Sequence, residues 1–232
     1  MSTRSKYLSA DDRRAATVEA VIELAANHAP GEITTTTIAQ HMGVTQGALF
    51  KHFPTKDAIL ESVVQWVAQR LMSRIDAVVL GAPSAGSALQ AMFMAHTAFV
   101  SEHPGVPRLL FGELQRAGST TPKRLVAALL REYAERLRTL LERGRDSGEL
   151  DAHMDIEAAA TLFVGSIQGL VIQALFAGDV QAIQRNAPGV FATYLSHHLG
   201  PELAAFESFD FQDETVTSEV EGDIAWAVER YR

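Results

Sequence analysis

Apolar residues recur at intervals of three and four along almost the whole chain, which is the spacing of one face of an α-helix. No stretch alternates apolar and polar residues as a half-buried strand would. The pattern predicts an all-α protein, in which Pro188 kinks the last helix or delays its start. The first helix follows Ser9, and later helices are predicted at 57–80, 85–102, 106–116, 122–146, 155–177 and 182–199.

Two of these helices are free of charged residues over most of their length. Residues 158–178 form a stretch of 21 residues, which is long enough to span a bilayer. The stretch contains two glutamines and is bounded by Glu157 and Asp179 without flanking Lys or Arg clusters, so a buried bundle helix is favoured over a membrane span. With the charge-free residues 77–101, it predicts a thick apolar interior, or an interior that is partly a ligand pocket.

Composition excludes several classes of protein. The chain has 232 residues, enough for one large domain or two modest ones, and no cysteine, which excludes disulfides, thiolate metal sites and cysteine nucleophiles. It has no glycine-rich phosphate loop, nucleophile elbow or His-Glu-x-x-His motif, so no catalytic residue, cofactor or metal is expected. Residues 1–10 are polar rather than apolar, and the expected location is the cytoplasm.

The formal charge of −8 is concentrated near the C-terminus. Residues 1–56 have six basic and five acidic side chains, residues 57–200 have 12 and 14, and residues 201–232 have two and nine. Attraction to phosphate is screened over about 10 Å. The acidity of 201–232 therefore does not exclude a nucleic-acid surface near the N-terminus.

Residues 34–53 have the pattern of two short helices joined by a tight turn. Thr34 or Thr35 can cap the first helix, Gly43 can end it in the left-handed conformation, and Thr45 can cap the second. Together with the preceding helix they predict a helix-turn-helix, although three packed helices with solvated polar faces have a similar pattern. The residues predicted to face inward are Ile38, Ala39, Met42, Leu49 and Phe53.

The outward face of the second short helix has side chains that can read DNA. Glutamine can bond the edge of adenine, Lys and His can reach guanine or phosphate, and small residues admit close approach and contact with a thymine methyl group. Downstream, Thr55 can cap the long helix, and the free N–H groups there, with Lys56, predict a phosphate site. The outward face comprises Gln46, Gly47, Ala48, Phe50, Lys51 and His52.

Residues 11–60 resemble the N-terminal domain of TetR-type transcriptional regulators, in the motifs Thr34-Thr35, Ile38-Ala39, Gly43-Val44, Phe50-Lys51-His52-Phe53 and Lys56. The resemblance implies a helix-turn-helix DNA-binding domain at 1–56 and a helical effector-binding and dimerisation domain at 57–200, followed by an acidic extension at 201–232. The residues that it implies to face double-stranded DNA are Thr35, Thr45, Gln46, Gly47, Ala48, Phe50, Lys51, His52 and Lys56.

Some positions depart from the family pattern. Phe50 stands where tyrosine is common and has no hydroxyl for a phosphate, while Thr36 and Thr37 stand where basic residues sometimes add contacts. We therefore expect a more modest affinity for DNA, or help from Arg4 and Lys6 in the N-terminal arm.

The resemblance further implies a homodimer formed by the last two helices, an inverted-repeat operator, and a repressor that a small apolar or amphipathic effector releases. Gly165 and Gly169, four residues apart, either let two subunits approach closely or pack within one subunit. The alternatives are a transcriptional activator and a helical small-molecule-binding protein with weak or no specific DNA binding.

The effector is expected among the fifth, sixth and eighth helices, where methionine and aromatic residues recur at helical spacing. His96 and Gln168 are the polar groups expected to face it, because burying them requires a partner. The alternative is that these residues form a packed core with a satisfied histidine. The candidate lining comprises Met92, Phe93, His96, Phe99, Phe111, Phe163, Ile167 and Gln168.

Residues 201–232 interleave five aromatic residues with acids. Docking on the helical domain is the favoured interpretation, since a free tail would leave those aromatics unburied. A free tail and an acidic mimic of DNA are the alternatives.

Overall fold

The computed structural model describes residues 9–200, and within that range the regular elements are helices, apart from an isolated antiparallel bridge between Leu150 and Leu199. The predicted all-α fold is confirmed. The helices are α1 (Ala10–Asn27), α2 (Thr35–His41), α3 (Gln46–Phe50), α4 (Lys56–Leu80), α5 (Ala85–Glu102), α6 (Gly105–Gln115), α7 (Thr121–Ser147), α8 (Ile156–Ala177) and α9 (Gln181–Ser196).

Side-chain caps explain where most of these helices begin. Seven of them start after a Ser, Thr or Asp whose side-chain oxygen accepts a hydrogen bond from a backbone N–H of the first turn. Glycines in the left-handed conformation follow α2, α7 and α8 at positions 43, 148 and 178. Pro188 lies inside α9, which already begins at Gln181, so the predicted late start of that helix is wrong.

The chain forms a small head and a larger helical body. The head consists of α1, α2, α3 and the first turns of α4, which pack around Val21, Ile38, Leu49 and Phe53. Helix α4 continues into the body and packs on α5 and α7, while α8 and α9 pack on each other and on α5. A single buried apolar cluster runs from the head into the body, so the two parts share one core.

Helix α6 touches the head through backbone rather than through long side chains. Gly105 lies so close to α1 that a Cβ atom added to it would stand 2.3 Å from the carbonyl oxygen of Ile22. Gly112 faces Pro30 in the same way, at 3.1 Å. The absence of side chains at these two points allows α6 to rest directly on the head.

We expect a Gly105→Ala variant to be less stable by about 1–3 kcal/mol, because the added methyl group must push α6 away from α1. Gly81→Ala is the matched control, since Gly81 ends α4 with open space around an added Cβ. Thermal unfolding of the two variants measures the difference. Equal melting temperatures would contradict the close approach of α1 and α6.

Among the described residues, α8 is the helix whose length and apolar composition would allow it to cross a membrane. Its inner face is nevertheless buried against α5, α7 and α9 through residues such as Phe163, Ile167 and Val171. Its outer face is also apolar, and Leu162, Ile172 and Phe176 are exposed there. Helix α8 is therefore a bundle helix with a second apolar face.

Candidate nucleic-acid interface and sensor domain

Helix α2 places a threonine hydroxyl against the first residue of α3. Thr34 caps α2, with its Oγ1 accepting from the N–H of Thr37, so Thr35 is left free of the capping role. The side-chain amide of Gln46 donates to Oγ1 of Thr35 at 2.7 Å. This contact holds the Gln46 side chain in a defined position at the start of α3.

Helix α3 is fixed by its inner side and exposes its outer side. Leu49 and Phe53 are buried in the core of the head, and Thr45 caps the helix by accepting from the N–H of Ala48 at 3.1 Å. On the outer side Gln46, Gly47 and Lys51 are exposed, and 43% of the Phe50 surface is accessible. Thr35, Ala48 and His52 are half-buried at the margin of this surface.

The Lys56 side chain, predicted to face DNA, lies at the junction of head and body in this structure. Its Nζ lies 3.4 Å from the carbonyl oxygen of Pro30, in a groove between the head and α6. Burial lowers the pKa of Lys56, against the opposing attraction of Glu113. The contact of this side chain with a DNA phosphate stays a prediction, and it would require the side chain to leave the groove.

The groove between head and body contains a cluster of charged groups. Arg116, which follows α6, donates from Nη1 to Asp57 at 3.0 Å and to Glu113 at 2.9 Å. Asp57 belongs to the first turn of α4, so this ion pair links α6 to the start of the helix that leaves the head. The groove has a volume of about 320 Å³ and is lined by Pro30, Gly31, Lys56, Asp57, Leu60, Gly112, Glu113 and Arg116.

Apart from Lys56, these junction residues were not among the sequence candidates for function. Glu113 and Arg116 have a detectable signal, because they are oppositely charged residues three positions apart at the C-terminal end of α6. Asp57, which pairs with Arg116, could not be identified from sequence, since it lies 59 positions away from Arg116.

Most of the residues predicted to line an effector cavity are closely packed core. Met92, Phe93, Phe163 and Ile167 are at most 1% exposed, and the rings of Phe93 and Phe163 meet edge to face with centroids 5.2 Å apart. Neither the groove beside α6 nor a second groove on α8 and α9 is lined by any of the eight predicted residues. Gln168 is exposed on the outer surface of α8, so its predicted inward orientation is wrong.

His96 forms a polar pair inside the body. Its Nδ1 lies 3.0 Å from the hydroxyl oxygen of Tyr133 on α7. Burial lowers the pKa of His96 to about 4 and raises the pKa of Tyr133, so both groups are uncharged at neutral pH. His96 is thus a histidine whose hydrogen bond is satisfied within the core, as the alternative interpretation had it.

The outer surface of α8 and α9 is open along its small residues. An added Cβ at Gly165, Gly169 or Gly189 would have nothing within 4 Å. Close packing of the α8 glycines within the subunit, the alternative considered for them, is therefore wrong. A shallow groove of about 370 Å³ lies between the two helices, lined by Leu162, Ser166, Gly189, Val190, Thr193, Tyr194 and His197.

Residues 9–200 contain no group of three or more His, Asp or Glu side chains arranged to hold a metal ion. The N-terminal arm with Arg4 and Lys6, and the predicted docking of 201–232, lie outside the described residues.

Two family models match this chain. Residues 18–63 match the model of bacterial regulatory proteins of the tetR family, and residues 119–190 match the tetracyclin repressor-like C-terminal domain. The first match covers the head from the middle of α1 to the first turns of α4, and the second covers α7, α8 and part of α9. The chain belongs to the TetR family. Its members are non-enzymatic, helix-turn-helix DNA-binding regulators of transcription, so this chain is a TetR-family transcriptional regulator.

Three individual TetR-like proteins share between 17% and 24% of their sequence with this chain. The nucleoid occlusion factor SlmA of Vibrio cholerae is 24% identical over 159 residues, which cover 68% of this chain and 81% of the relative. The ketosteroid transcriptional regulator KstR2 of Mycobacterium tuberculosis superimposes with a TM-score of 0.67 at 17% identity, covering 85% and 99% of the two chains. FadR of Bacillus subtilis, in complex with stearoyl-CoA, superimposes with a TM-score of 0.69 at 19% identity, covering 78% and 97%. At these identities the two structures show the shared fold.

Proposed function

We propose that this regulator is a cytoplasmic repressor that binds an inverted-repeat operator as a homodimer and is released by a small apolar or amphipathic effector. The main support for DNA binding in this proposal is the exposed face of α3, on which Gln46 is held by a hydrogen bond to Thr35. The residues assigned to DNA are Thr35, Thr45, Gln46, Gly47, Ala48, Phe50, Lys51, His52 and Lys56.

The polar residues of this face have complementary roles. With one amide N–H committed to Thr35, Gln46 retains one donor and its carbonyl acceptor, which match the acceptor and donor on the major-groove edge of adenine. Lys51 is exposed and supplies a positive charge to guanine or phosphate. Thr45 uses its hydroxyl oxygen as a cap and keeps its O–H free for a phosphate.

Selection of random duplex DNA by the purified protein, followed by sequencing, tests this assignment. An enriched inverted repeat is expected for the wild-type protein. A Gln46→Ala, Lys51→Ala double variant should bind that repeat at least about 100-fold more weakly, since a base contact and a charged contact are lost. Its melting temperature should not change, because both side chains are exposed. Retained operator binding by the double variant would refute the site.

The dimer is proposed to form through the outer surface of α8 and α9. The exposed Leu162, Ile172 and Phe176 supply apolar area, and Gly165 and Gly169 leave room for close approach of a partner helix. A two-fold dimer would present two copies of α3, which is why an inverted repeat is expected.

Effector release is proposed to act through the junction of α6 with the head. A ligand that enters the body can shift DNA affinity only by favouring one arrangement of head and body over the other. The contacts available to transmit such a shift are the Asp57–Arg116 ion pair and the close backbone approach of Gly105 to α1. The apolar class of effector is supported by the similar fold of FadR, which was crystallised with stearoyl-CoA, and of KstR2, a ketosteroid transcriptional regulator.

We expect an Asp57→Asn variant to respond less to effector than the wild type. The test compares operator affinity with and without stearoyl-CoA or a ketosteroid, whichever releases the wild-type protein. Asp76→Asn is the matched control, because Asp76 is paired with Arg136 between α4 and α7 within the body. Both pairs are partly exposed, so each substitution should cost less than about 1 kcal/mol of stability. An equal effector response in the two variants would rule out the ion pair as the link.

A role in nucleoid occlusion is a second candidate, favoured by the similarity to SlmA over most of that relative's length. Mapping of the bound sites on the bacterium's own chromosome distinguishes the two candidates. Sites confined to promoters support the repressor, and sites spread over the chromosome without effect on neighbouring transcripts support the second candidate.

A further inference from the structure

Arg14 on α1 contacts three separate parts of the head. Its Nη1 donates to the carbonyl oxygen of His52 at 2.9 Å, and its guanidinium carbon lies 4.6 Å from the ring centroid of Phe53. Nη2 lies 3.4 Å from the hydroxyl oxygen of Ser62 on α4. Arg14 precedes the residues 18–63 that match the family model, so that match assigns it no role.

The recognition helix needs such an anchor because it is very short. Helix α3 has only five residues, so most of its backbone groups have no partner within the helix. It packs chiefly on α2, and its inner side is fixed by Leu49 and Phe53. The carbonyl group of His52, just beyond its C-terminal end, is bonded by Arg14. This bond is a direct link from α1 to that end of the helix.

We propose that Arg14 is a positioning residue for DNA recognition, which sets the orientation of α3 without contacting DNA. The proposal rests on the proposed function of the α3 face. Lys51 and His52 lie at the C-terminal end of α3, immediately before Phe53, and the anchored carbonyl is that of His52. A rotation of this end would displace the side chains of Lys51 and His52 from the base edges. The buried Phe53 ring alone does not prevent that rotation. Burial of the ring fixes where this end of α3 lies, but it fixes the direction of the neighbouring His52 carbonyl less firmly.

The guanidinium group suits this role better than an ammonium group. It is planar, so one face lies over the Phe53 ring while its edge donates to the carbonyl oxygen of His52. A positive charge at the C-terminal end of a helix also interacts favourably with the negative end of the helix dipole. Lysine keeps the charge but cannot make the stacked and the edge-on contact together.

The experiment compares Arg14→Ala and Arg14→Lys with an Arg124→Ala control. Arg124 is also an exposed arginine that donates to a backbone carbonyl, that of Ser119 at 3.0 Å, but it lies at the start of α7 in the body. For each protein the dissociation constants for the selected operator and for a random duplex are measured at several salt concentrations. Thermal unfolding is recorded in parallel, and binding is measured well below every melting temperature.

Both Arg14 variants are expected to lose about tenfold in operator affinity, the size of a disturbed base contact, while Arg124→Ala behaves like the wild type. Affinity for the random duplex and the salt dependence should stay unchanged, because no phosphate contact is removed.

Three results would overturn the inference. A comparable loss on both DNAs, with the slope of log affinity against log salt reduced by about one, would show a phosphate contact instead. A lower melting temperature with unchanged operator discrimination would show a purely structural role, and unchanged discrimination and stability would show that Arg14 is dispensable. A wild-type protein that prefers no operator would refute the proposed function itself.

Discussion

A Gly169→Glu variant is expected to be monomeric and to bind the operator at least about 100-fold more weakly than the wild type. Two heads joined in a dimer bind two half-sites with an affinity that neither head reaches alone, so separating them removes the gain of bivalency. Gly169 lies on the outer surface of α8, between the exposed Leu162 and Phe176. A charged side chain there would have to be desolvated against the partner helix.

The same substitution should leave the isolated subunit intact. An added Cβ at Gly169 meets nothing within 4 Å, and replacing glycine inside a helix favours the helix by up to about 1 kcal/mol. Gln168→Glu is the matched control, because Gln168 is the exposed neighbour one residue away and gains the same charge on a different side of α8. Sedimentation equilibrium measures the subunit association. A Gly169→Glu protein that remains dimeric would move the interface away from α8.

The behaviour of α8 shows what an apolar pattern can and cannot predict. The absence of charge over residues 158–178 correctly predicted a bundle helix, and its bounds came within a residue of Ile156–Ala177. The same absence suggested a thick interior or a pocket. In the structure part of the explanation is instead that the outer side of α8 is also apolar, with Leu162, Ile172 and Phe176 exposed. Periodicity identifies two apolar faces of a helix without saying what covers each of them.

The predicted effector lining stays a prediction for a related reason. A helix that borders a cavity and a helix that fills a core have the same spacing of Met and Phe, because both turn these residues away from water. Whether space remains between them depends on how side chains from distant segments interlock, as Phe93 and Phe163 do across 70 positions. Gln168 was expected to face the effector because burying its amide requires a partner, yet it lies on the solvent side and needs none.

The head was predicted more completely because its signals are local. Caps at Ser9, Thr45 and Thr55 and the left-handed Gly43 each act within four residues of their position, so the sequence contains both partners. Lys56 shows the limit of this approach. Its partner Pro30 lies 26 positions away, and desolvation in the groove beside α6 depends on the arrangement of the whole protein.

The buried His96 is expected to make the folded protein sensitive to mild acid. In the unfolded chain its pKa has the ordinary value of 6.5, whereas burial lowers the pKa of His96 in the folded protein to about 4. Between these values the unfolded state binds a proton that the folded state does not, so stability falls as the pH falls from about 6.5 to 4. The full difference amounts to about 3 kcal/mol, and it is absent above pH 6.5.

Urea unfolding of the wild type and of a His96→Gln variant between pH 7 and pH 4.5 measures this contribution. Glutamine does not titrate, and its amide can still bond the hydroxyl of Tyr133, so the two stability profiles should converge as the pH falls. Carboxylates and the other histidines contribute equally to both proteins and cancel in the difference. If the two profiles instead stay parallel over this range, His96 gains a proton in the folded state as readily as in the unfolded chain, and the enclosure of its ring is not what keeps it neutral.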